Sequence, residues 1–277
     1  MFSTGHLLWI AVSAALILGG LIAVKARKPD LRQVLKACLI VGAASEAVKV
    51  FSVMNILPMV TPAVAGGEIA YIPAGQYSPY IEMAHLPLEL CSLMLVFLAA
   101  ALLLRDGIWR ERLLTVMYIT GLIGGLMGIF LAYITSEFFT VEEYFTSPRV
   151  WQYFLYHAMV VFLGLYLGFV RKNDISLRSL KTTMLGIMIL DIPTFYGNSI
   201  FSQPVYANEK PVGLVYRTNF FSSYVNPLGL VLSEKWQWMA YLAIRLALAT
   251  ALIALMLWLP SLRKKTDRRR GRRMKEG

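Results

Sequence analysis

The chain has 277 residues, of which 57% are hydrophobic and only 16% are charged. Soluble globular proteins carry about 25% charged residues, so this composition indicates an integral membrane protein and excludes a soluble enzyme, a disordered regulator and a secreted disulfide scaffold. The formal net charge is +11, and residues 263–277 alone hold nine Lys or Arg and two acids, hence +7. Because this tail has no aromatic side chain for base stacking, we expect it to contact anionic lipid of the inner leaflet rather than nucleic acid.

Seven apolar stretches are each long enough to cross a bilayer, whose hydrocarbon core needs about 20 helical residues. They cover residues 6–24, 34–57, 84–104, 113–134, 150–170, 182–201 and 238–259. The runs lack the alternation that a transmembrane barrel strand requires. The sequence therefore predicts an all-α, polytopic membrane protein, with a seven-helix domain over residues 1–262 and a basic tail over residues 263–277.

Basic residues alternate between the connections of these spans. One set of connections, together with the tail, holds 21 Lys or Arg, whereas the opposite set holds four. The positive-inside rule then places the N-terminus outside and the C-terminus in the cytoplasm, which agrees with an odd number of spans. We therefore predict a multi-pass protein of the plasma membrane, without a cleaved signal peptide because no Lys or Arg precedes the first span. The two long loops, 58–83 and 202–237, fall on the outer side and are expected to pack as caps.

Ionisable side chains inside a bilayer are costly, so each one is a candidate functional residue. Five polar residues lie 7–11 positions from the outer ends of their predicted spans, namely Glu46, Cys91, His157, Asp191 and Arg245. At about 1.5 Å per residue, they share one layer in the outer half of the membrane. Scattered structural residues would not be expected to share a depth, so this layer is the predicted site.

The start of the third span reads His85-Leu86-Pro87-Leu88-Glu89-Leu90-Cys91. Proline favours the first helical position, which places Cys91 just past the first turn, where the positive end of the helix dipole stabilises a thiolate. If the helix starts earlier, Pro87 kinks it. On an unbroken helix His85 and Glu89 would share a face, whereas Glu89 and Cys91 would not. The alternative interpretation, given equal weight, is that Cys91 is a small buried hydrophobic residue.

His157 follows Tyr153 by four positions, so a hydrogen bond from the tyrosine would orient its ring. One interpretation makes His157 a general base for a thiol or hydroxyl nucleophile. The other makes it a histidine that hydrogen-bonds between helices. The sequence leaves both open.

The last two spans each present one polar face. Asp191 and Asn198 share a face of the sixth span, and Tyr241 and Arg245 share a face of the seventh. We expect Asp191 and Arg245 to pair across neighbouring helices. The functional alternative is that Arg245 holds a lipid phosphate or a carboxylate.

No metal or cofactor site is predicted. His85, Glu89 and His157 are the only plausible ligand set, because His6 is expected at a mobile terminus. The chain has no HExxH, paired-cysteine, P-loop or GxGxxG pattern. Cys38 and Cys91 lie at different predicted depths, so we expect no disulfide between them.

Two further patterns predict structure rather than chemistry. Glu46 and Lys49, three residues apart, are expected to form an ion pair within one helix. The small-xxx-small spacing of the fourth span indicates tight helix packing at its four glycines, Gly121, Gly124, Gly125 and Gly128.

These motifs resemble the YwaF-like family of bacterial integral membrane proteins, which is related to a eukaryotic membrane cysteine acyltransferase of phospholipid remodelling. The resemblance covers nearly the whole chain and rests on three elements. The first is the run from Leu86 to Cys91, which is similar to the family's Leu-Pro-Leu-His-Leu-Cys, and the second is His157 in the fifth span. The third is the segment before the last span, with Thr218-Asn219-Phe220, Pro227 and Trp236-Gln237-Trp238. Glu89 stands where family members often have histidine, which leaves open whether this chain is active.

What the resemblance implies is acyl transfer on outer-leaflet phospholipid. Cys91 would accept an acyl group as a thioester, His157 would act as base, and a lysophospholipid or other acceptor would collect the group. The polar residues expected to bind substrate are Glu89, His85, Asp191, Asn198, Asn219, Tyr241 and Arg245. The alternatives are a solute transporter or ligand-binding membrane protein that uses the outer polar layer, and a structural or assembly factor.

Overall fold

The protein is described by a computed structural model that covers residues 2–65, 68–82, 85, 91–132, 140–171, 175–207, 210–215 and 232–276. Helices dominate these ranges. Their bounds are Thr4–Arg27 (α1), Leu31–Val53 (α2), Met94–Leu103 (α3), Ile108–Phe130 (α4), Val141–Thr146 (α5), Pro148–Leu165 (α6), Leu180–Ile200 (α7) and Lys235–Glu276 (α8). A π-helical turn over Tyr166–Val170 extends α6, and a 3₁₀ turn over Leu177–Ser179 precedes α7.

Local capping explains where several helices begin. Ser3 caps α1 by accepting a hydrogen bond from the His6 backbone N–H, and Asp30 and Gln33 form a capping box at the start of α2. Pro148 occupies the first turn of α6, where its missing N–H costs no helical hydrogen bond. These short polar signals explain the close agreement between predicted and observed helix starts in α1, α2 and α6.

Within the described ranges, four helical segments are apolar and long enough to cross a membrane. They are Thr4–Arg27, Ile108–Phe130, Pro148–Val170 and Lys235–Leu262. Helices also occupy the other three predicted positions, but α3 has only ten residues and α2 carries four charged side chains. The multi-pass character is therefore confirmed for four segments, and the count of seven spans and their orientation stay predictions.

The prediction of an all-α chain is wrong in the two long connections, each of which contains a hairpin. Strands β1 (Asn55–Ala65) and β2 (Glu68–Tyr80) pair antiparallel, as do β3 (Gln203–Ala207) and β4 (Lys210–Val215). Both segments are rich in proline and glycine, which are typical of loops. Pairing between strands satisfies backbone groups that would otherwise need water, and it tolerates proline on these two-stranded edges.

Helices α4 and α6 form the centre of the helical core. Most of the apolar window of each is buried, whereas α1 and α8 are largely exposed. Helix α6 packs against α4 on one side and against α1 and α2 on others, and α7 packs against α4 and α8. Exposed leucine, isoleucine and phenylalanine side chains on the peripheral helices form the surface that a bilayer would cover.

A second cluster, composed of aromatic side chains, joins α1 to α5 and α6. The Trp9 ring is fully buried and stacks on Phe154 and Phe145, while its indole N–H donates to the Tyr144 carbonyl over 3.0 Å. His6 is also fully buried, with Nε2 2.8 Å from the Ile129 carbonyl oxygen. The expectation that His6 lies at a mobile terminus is therefore wrong, because this cluster holds the first turn of α1.

Candidate functional site

Cys91 lies in a turn immediately before α3. Its carbonyl oxygen accepts two hydrogen bonds, from the Met94 backbone N–H over 3.1 Å and from the Tyr156 hydroxyl over 2.7 Å. The helix begins at Met94, so Cys91 precedes the first turn instead of following it. Its side chain is half-buried, whereas Cys38, the other cysteine, is buried in α2, and neither forms a disulfide.

His157 has its ring fixed by its own helix. Nδ1 lies 2.7 Å from the carbonyl oxygen of Tyr153, and the two ring centroids are 4.2 Å apart. Tyr153 is therefore the hydrogen-bond partner of His157, as predicted, but it contributes its backbone carbonyl oxygen instead of its side chain. Since a carbonyl oxygen only accepts, Nδ1 of the neutral ring carries the proton, and Nε2 is left with the lone pair that a general base needs.

The glycine face of α4 brings Cys91 and His157 to one surface. A methyl group placed on Gly124 would lie 3.4 Å from the Cys91 backbone nitrogen and 3.7 Å from its Cβ. A methyl group placed on Gly128 would overlap the Nε2 and Cδ2 atoms of the His157 ring. Gly124 and Gly128 are four residues apart, so Cys91 and His157 contact the same face of α4 about one helical turn apart.

Two sets of polar contacts join α6 to its neighbours. The Arg149 guanidinium donates to Gln152 Oε1, and Gln152 Nε2 donates to Ser45 Oγ of α2 over 2.9 Å. Tyr156, four residues after Gln152, donates its hydroxyl proton to the Cys91 carbonyl before α3. Helix α6 is therefore held by polar contacts to α2 and to the turn before α3.

A second polar group joins α7 to α8. Arg245 forms an ion pair with Asp191, which confirms the predicted pairing. Tyr241, one turn before Arg245, is buried and packs edge-on against Trp238, and Asn198 is fully buried in α7. The contacts described for this group lie on α7 and α8, whereas those described for Cys91 and His157 lie on α3, α4 and α6.

The Asp191–Arg245 pair supplies a stability prediction. Replacing Arg245 with leucine leaves the Asp191 carboxylate between helices, and we expect a loss of about 2 kcal/mol in the free energy of unfolding. The double variant Asp191→Leu, Arg245→Leu should recover most of this loss, because an ion pair replaced on both sides is often neutral. Unfolding of the detergent-solubilised protein measures both. The two residues would not be mutual partners if the double variant lost as much free energy of unfolding as Asp191→Leu and Arg245→Leu together.

The remaining predicted residues separate into three cases. Glu89 and Asn219 lie outside the described residues. His85 is half-buried in a helical turn, where its backbone N–H donates to the Glu82 carbonyl over 2.9 Å. Glu46 and Lys49 form the expected pair, with Oε1 and Nζ 2.5 Å apart. Among the described residues, no three His, Cys, Asp or Glu side chains are grouped to hold a metal ion.

Tyr156, Ser45, Gln152 and Arg149 were not predicted as site residues. Tyr156 adjoins His157 in the sequence, but nothing in the sequence indicates its hydrogen bond to a residue 65 positions away. The glycine spacing of α4 did signal close helix approach, as Gly125 against Val161 confirms. It did not signal which side chains approach.

The chain matches the family model described as the TMEM164 family over residues 1–265, and it therefore belongs to that family of membrane proteins. No curated protein and no solved structure matches it.

Proposed function

We propose that this member of the TMEM164 family is a membrane acyltransferase that carries the acyl group of a phospholipid as a thioester on Cys91. The observation that carries the proposal is that Cys91 and His157 approach two glycines of α4, Gly124 and Gly128, that lie one helical turn apart. The resemblance of the Leu86–Cys91 run to the YwaF-like motif supports the same pair. Outer-leaflet phospholipid is the proposed donor, and a lysophospholipid is the proposed acceptor.

Three features of the pair support nucleophilic chemistry. The hydrogen bond from Nδ1 to the Tyr153 carbonyl leaves Nε2 as the acceptor of a thiol proton. Cys91 precedes α3, where the positive end of the helix dipole stabilises a thiolate. The Tyr156 hydroxyl donates to the Cys91 carbonyl and so fixes the backbone that carries the thiol.

The proposed reaction has two balanced steps. His157 takes the proton of the Cys91 thiol, the sulfur attacks the ester carbonyl, a C–S bond forms, and the ester C–O bond breaks. The departing lysophospholipid oxygen receives the proton from His157. In the second step an acceptor hydroxyl gives its proton to His157 and attacks the thioester, the C–S bond breaks, and the thiolate recovers the proton.

The proposed topology places this pair in the outer half of the membrane. It comprises seven spans, with the N-terminus outside and the C-terminus in the cytoplasm of a plasma-membrane protein. The alternation of 21 basic residues on one side against four on the other supports it. Helix α8 continues through the basic residues after Leu262, and we propose that this extension contacts anionic lipid of the inner leaflet.

A solute transporter or receptor was the alternative, with Asp191 and Arg245 as its binding residues. Their ion pair favours a structural role, since each charge already has the other as partner. We therefore propose phospholipid, and no solute, as the ligand of the protein.

Trapping the thioester tests the proposal. Purified protein in vesicles of phosphatidylcholine with a labelled acyl chain should acquire label that neutral hydroxylamine removes, because hydroxylamine cleaves thioesters. Cys91→Ala should acquire none. Cys38→Ala is the matched control and should label normally, because Cys38 is buried in α2 and lies at a different predicted depth from Cys91. Label that persists in Cys91→Ala would refute the proposal.

A further inference from the structure

The hairpin of β1 and β2 leaves the helical domain at the edge of the membrane. The segment Pro148–Val170 is apolar and long enough to cross a bilayer, so Pro148 at its start lies near one membrane surface. Phe51, in the last turn of α2, borders Pro148. Helix α2 ends at Val53 and β1 begins at Asn55, so the hairpin starts at the level of the lipid headgroups.

The hairpin carries almost no charge. Residues 55–80 contain no Lys or Arg, and Glu68 is their only acidic residue. Several of their apolar and aromatic side chains are exposed, including Ile56, Tyr71 and Tyr77. A single two-stranded hairpin is only marginally stable in water, so exposed apolar side chains of this kind indicate a surface that a partner covers.

The first pairs of the hairpin gather apolar side chains on one face. Ile56 pairs with Pro79, and Pro58 pairs with Tyr77. Paired residues and residues two apart in a strand lie on the same side of a sheet, so these four residues form one apolar face. The opposite face is mixed and consists of Asn55, Leu57, Ser78 and Tyr80.

Three features favour lipid over a second copy of the chain as the partner of the apolar face. Proline has no backbone N–H, so Pro58 and Pro79 weaken the strand edges as templates for another strand. Tyrosine is enriched at membrane interfaces, where its ring contacts acyl chains and its hydroxyl reaches the headgroups, and Tyr77 is 70% exposed. The apolar face also follows the exposed apolar surface of α2, where Phe51 is 77% exposed.

We propose that the apolar face of Ile56, Pro58, Tyr77 and Pro79 rests on the membrane, at the boundary between headgroups and acyl chains. The unpaired backbone groups at the edges of a two-stranded sheet need water or headgroups, so the hairpin lies along this boundary and does not enter the hydrocarbon core. In the proposed topology this is the outer leaflet. The contact is independent of the proposed acyl transfer, and because its side chains are uncharged it requires no anionic lipid.

Fluorescent labels on the two faces test the inference in the full chain. In a background of Cys38→Ala and Cys91→Ala, either Tyr77→Cys or Ser78→Cys carries a nitrobenzoxadiazole dye, and the protein is reconstituted in phosphatidylcholine vesicles. The Tyr77→Cys label should emit at shorter wavelength than the Ser78→Cys label. A nitroxide on the upper part of the lipid acyl chain should quench it severalfold more strongly, because the two neighbouring residues lie on opposite faces.

A carboxylate placed on each face gives a matched pair of variants. Ile56→Asp should reduce quenching of the Tyr77→Cys label to that of the Ser78→Cys label, because a charge opposes contact of this face with acyl chains. Leu57→Asp, on the opposite face, should leave the quenching unchanged. Ile56 is 57% exposed and Leu57 is 46% exposed, so neither change disturbs the packed core.

Three results would overturn the inference. Equal quenching of the Tyr77→Cys and Ser78→Cys labels would show that neither face is turned to lipid. A Tyr77→Cys label that emits at short wavelength without being quenched would show that protein, such as a second copy of the chain, covers the face. Quenching that requires anionic phosphatidylglycerol would also contradict it, because residues 55–80 hold no Lys or Arg.

Discussion

Replacing His157 with glutamine is expected to slow acyl transfer by about 10²–10⁴-fold, the usual contribution of a positioned general base. Glutamine is close in size to histidine and retains an amide N–H for the Tyr153 carbonyl, but its side chain does not take up a proton. Initial rates of acyl exchange between labelled phosphatidylcholine and a lysophospholipid measure the effect. Alkylation of Cys91 by iodoacetamide should slow in parallel, because the thiolate is the reactive form.

His6→Gln is the matched control for this prediction. His6 is also a buried histidine with a ring nitrogen near a backbone carbonyl, that of Ile129, but it lies in the aromatic cluster at the start of α1. The His6→Gln variant should be less stable than the wild type, but its rate of acyl transfer per folded molecule should be unchanged. A His157→Gln rate within a few-fold of the wild-type rate would refute the role of His157 as base.

Adding one methyl group at Gly128 is expected to reduce acyl transfer by about 100-fold, although the change lies on a different helix from both reactive residues. The new Cβ would overlap the Nε2 edge of the His157 ring, so the imidazole must rotate away from its present position. A displacement of about 1 Å of a reactive group is enough to cost a factor of this size. The rate assay used for His157 measures the loss.

Gly19→Ala separates this steric effect from a general effect of replacing helical glycine. Gly19 lies in α1, and an added Cβ meets no heavy atom within 4 Å. Alanine favours a helix over glycine by about 1 kcal/mol, so both variants should fold. Gly19→Ala should keep the wild-type rate. A Gly128→Ala protein with normal activity would show that the position of the His157 ring is not required.

The polar layer predicted from residue depth divides into two groups in the structure. Cys91 and His157 contact the glycine face of α4, whereas Asp191 and Arg245 pair between α7 and α8. Equal predicted depth therefore grouped residues that contact different helices. Depth is set by position along each helix, but contact depends on which helices are neighbours and on how each is rotated about its axis.

The two hairpins were not predicted from the sequence, for a different reason. Residues 55–80 contain prolines and glycines that punctuate the chain, and a bulge between Pro58 and Val60 interrupts the strand register. The alternation that normally identifies a strand is therefore broken, while the pairing of Asn55 with Tyr80 depends on residues 25 positions apart.

The sequence by itself determined the membrane class, the starts of α1, α2 and α6 and the Glu46–Lys49 pair, because apolar length, capping and i,i+3 spacing are local properties. Only the tertiary structure decided that Tyr156 holds the Cys91 carbonyl, that Gly128 faces His157 and that Gln152 bonds to Ser45. Each of these contacts connects residues distant in the sequence. These contacts depend on close helix packing at small residues. The spacing of small residues in the sequence predicts such packing, but it does not identify the residues that pack there.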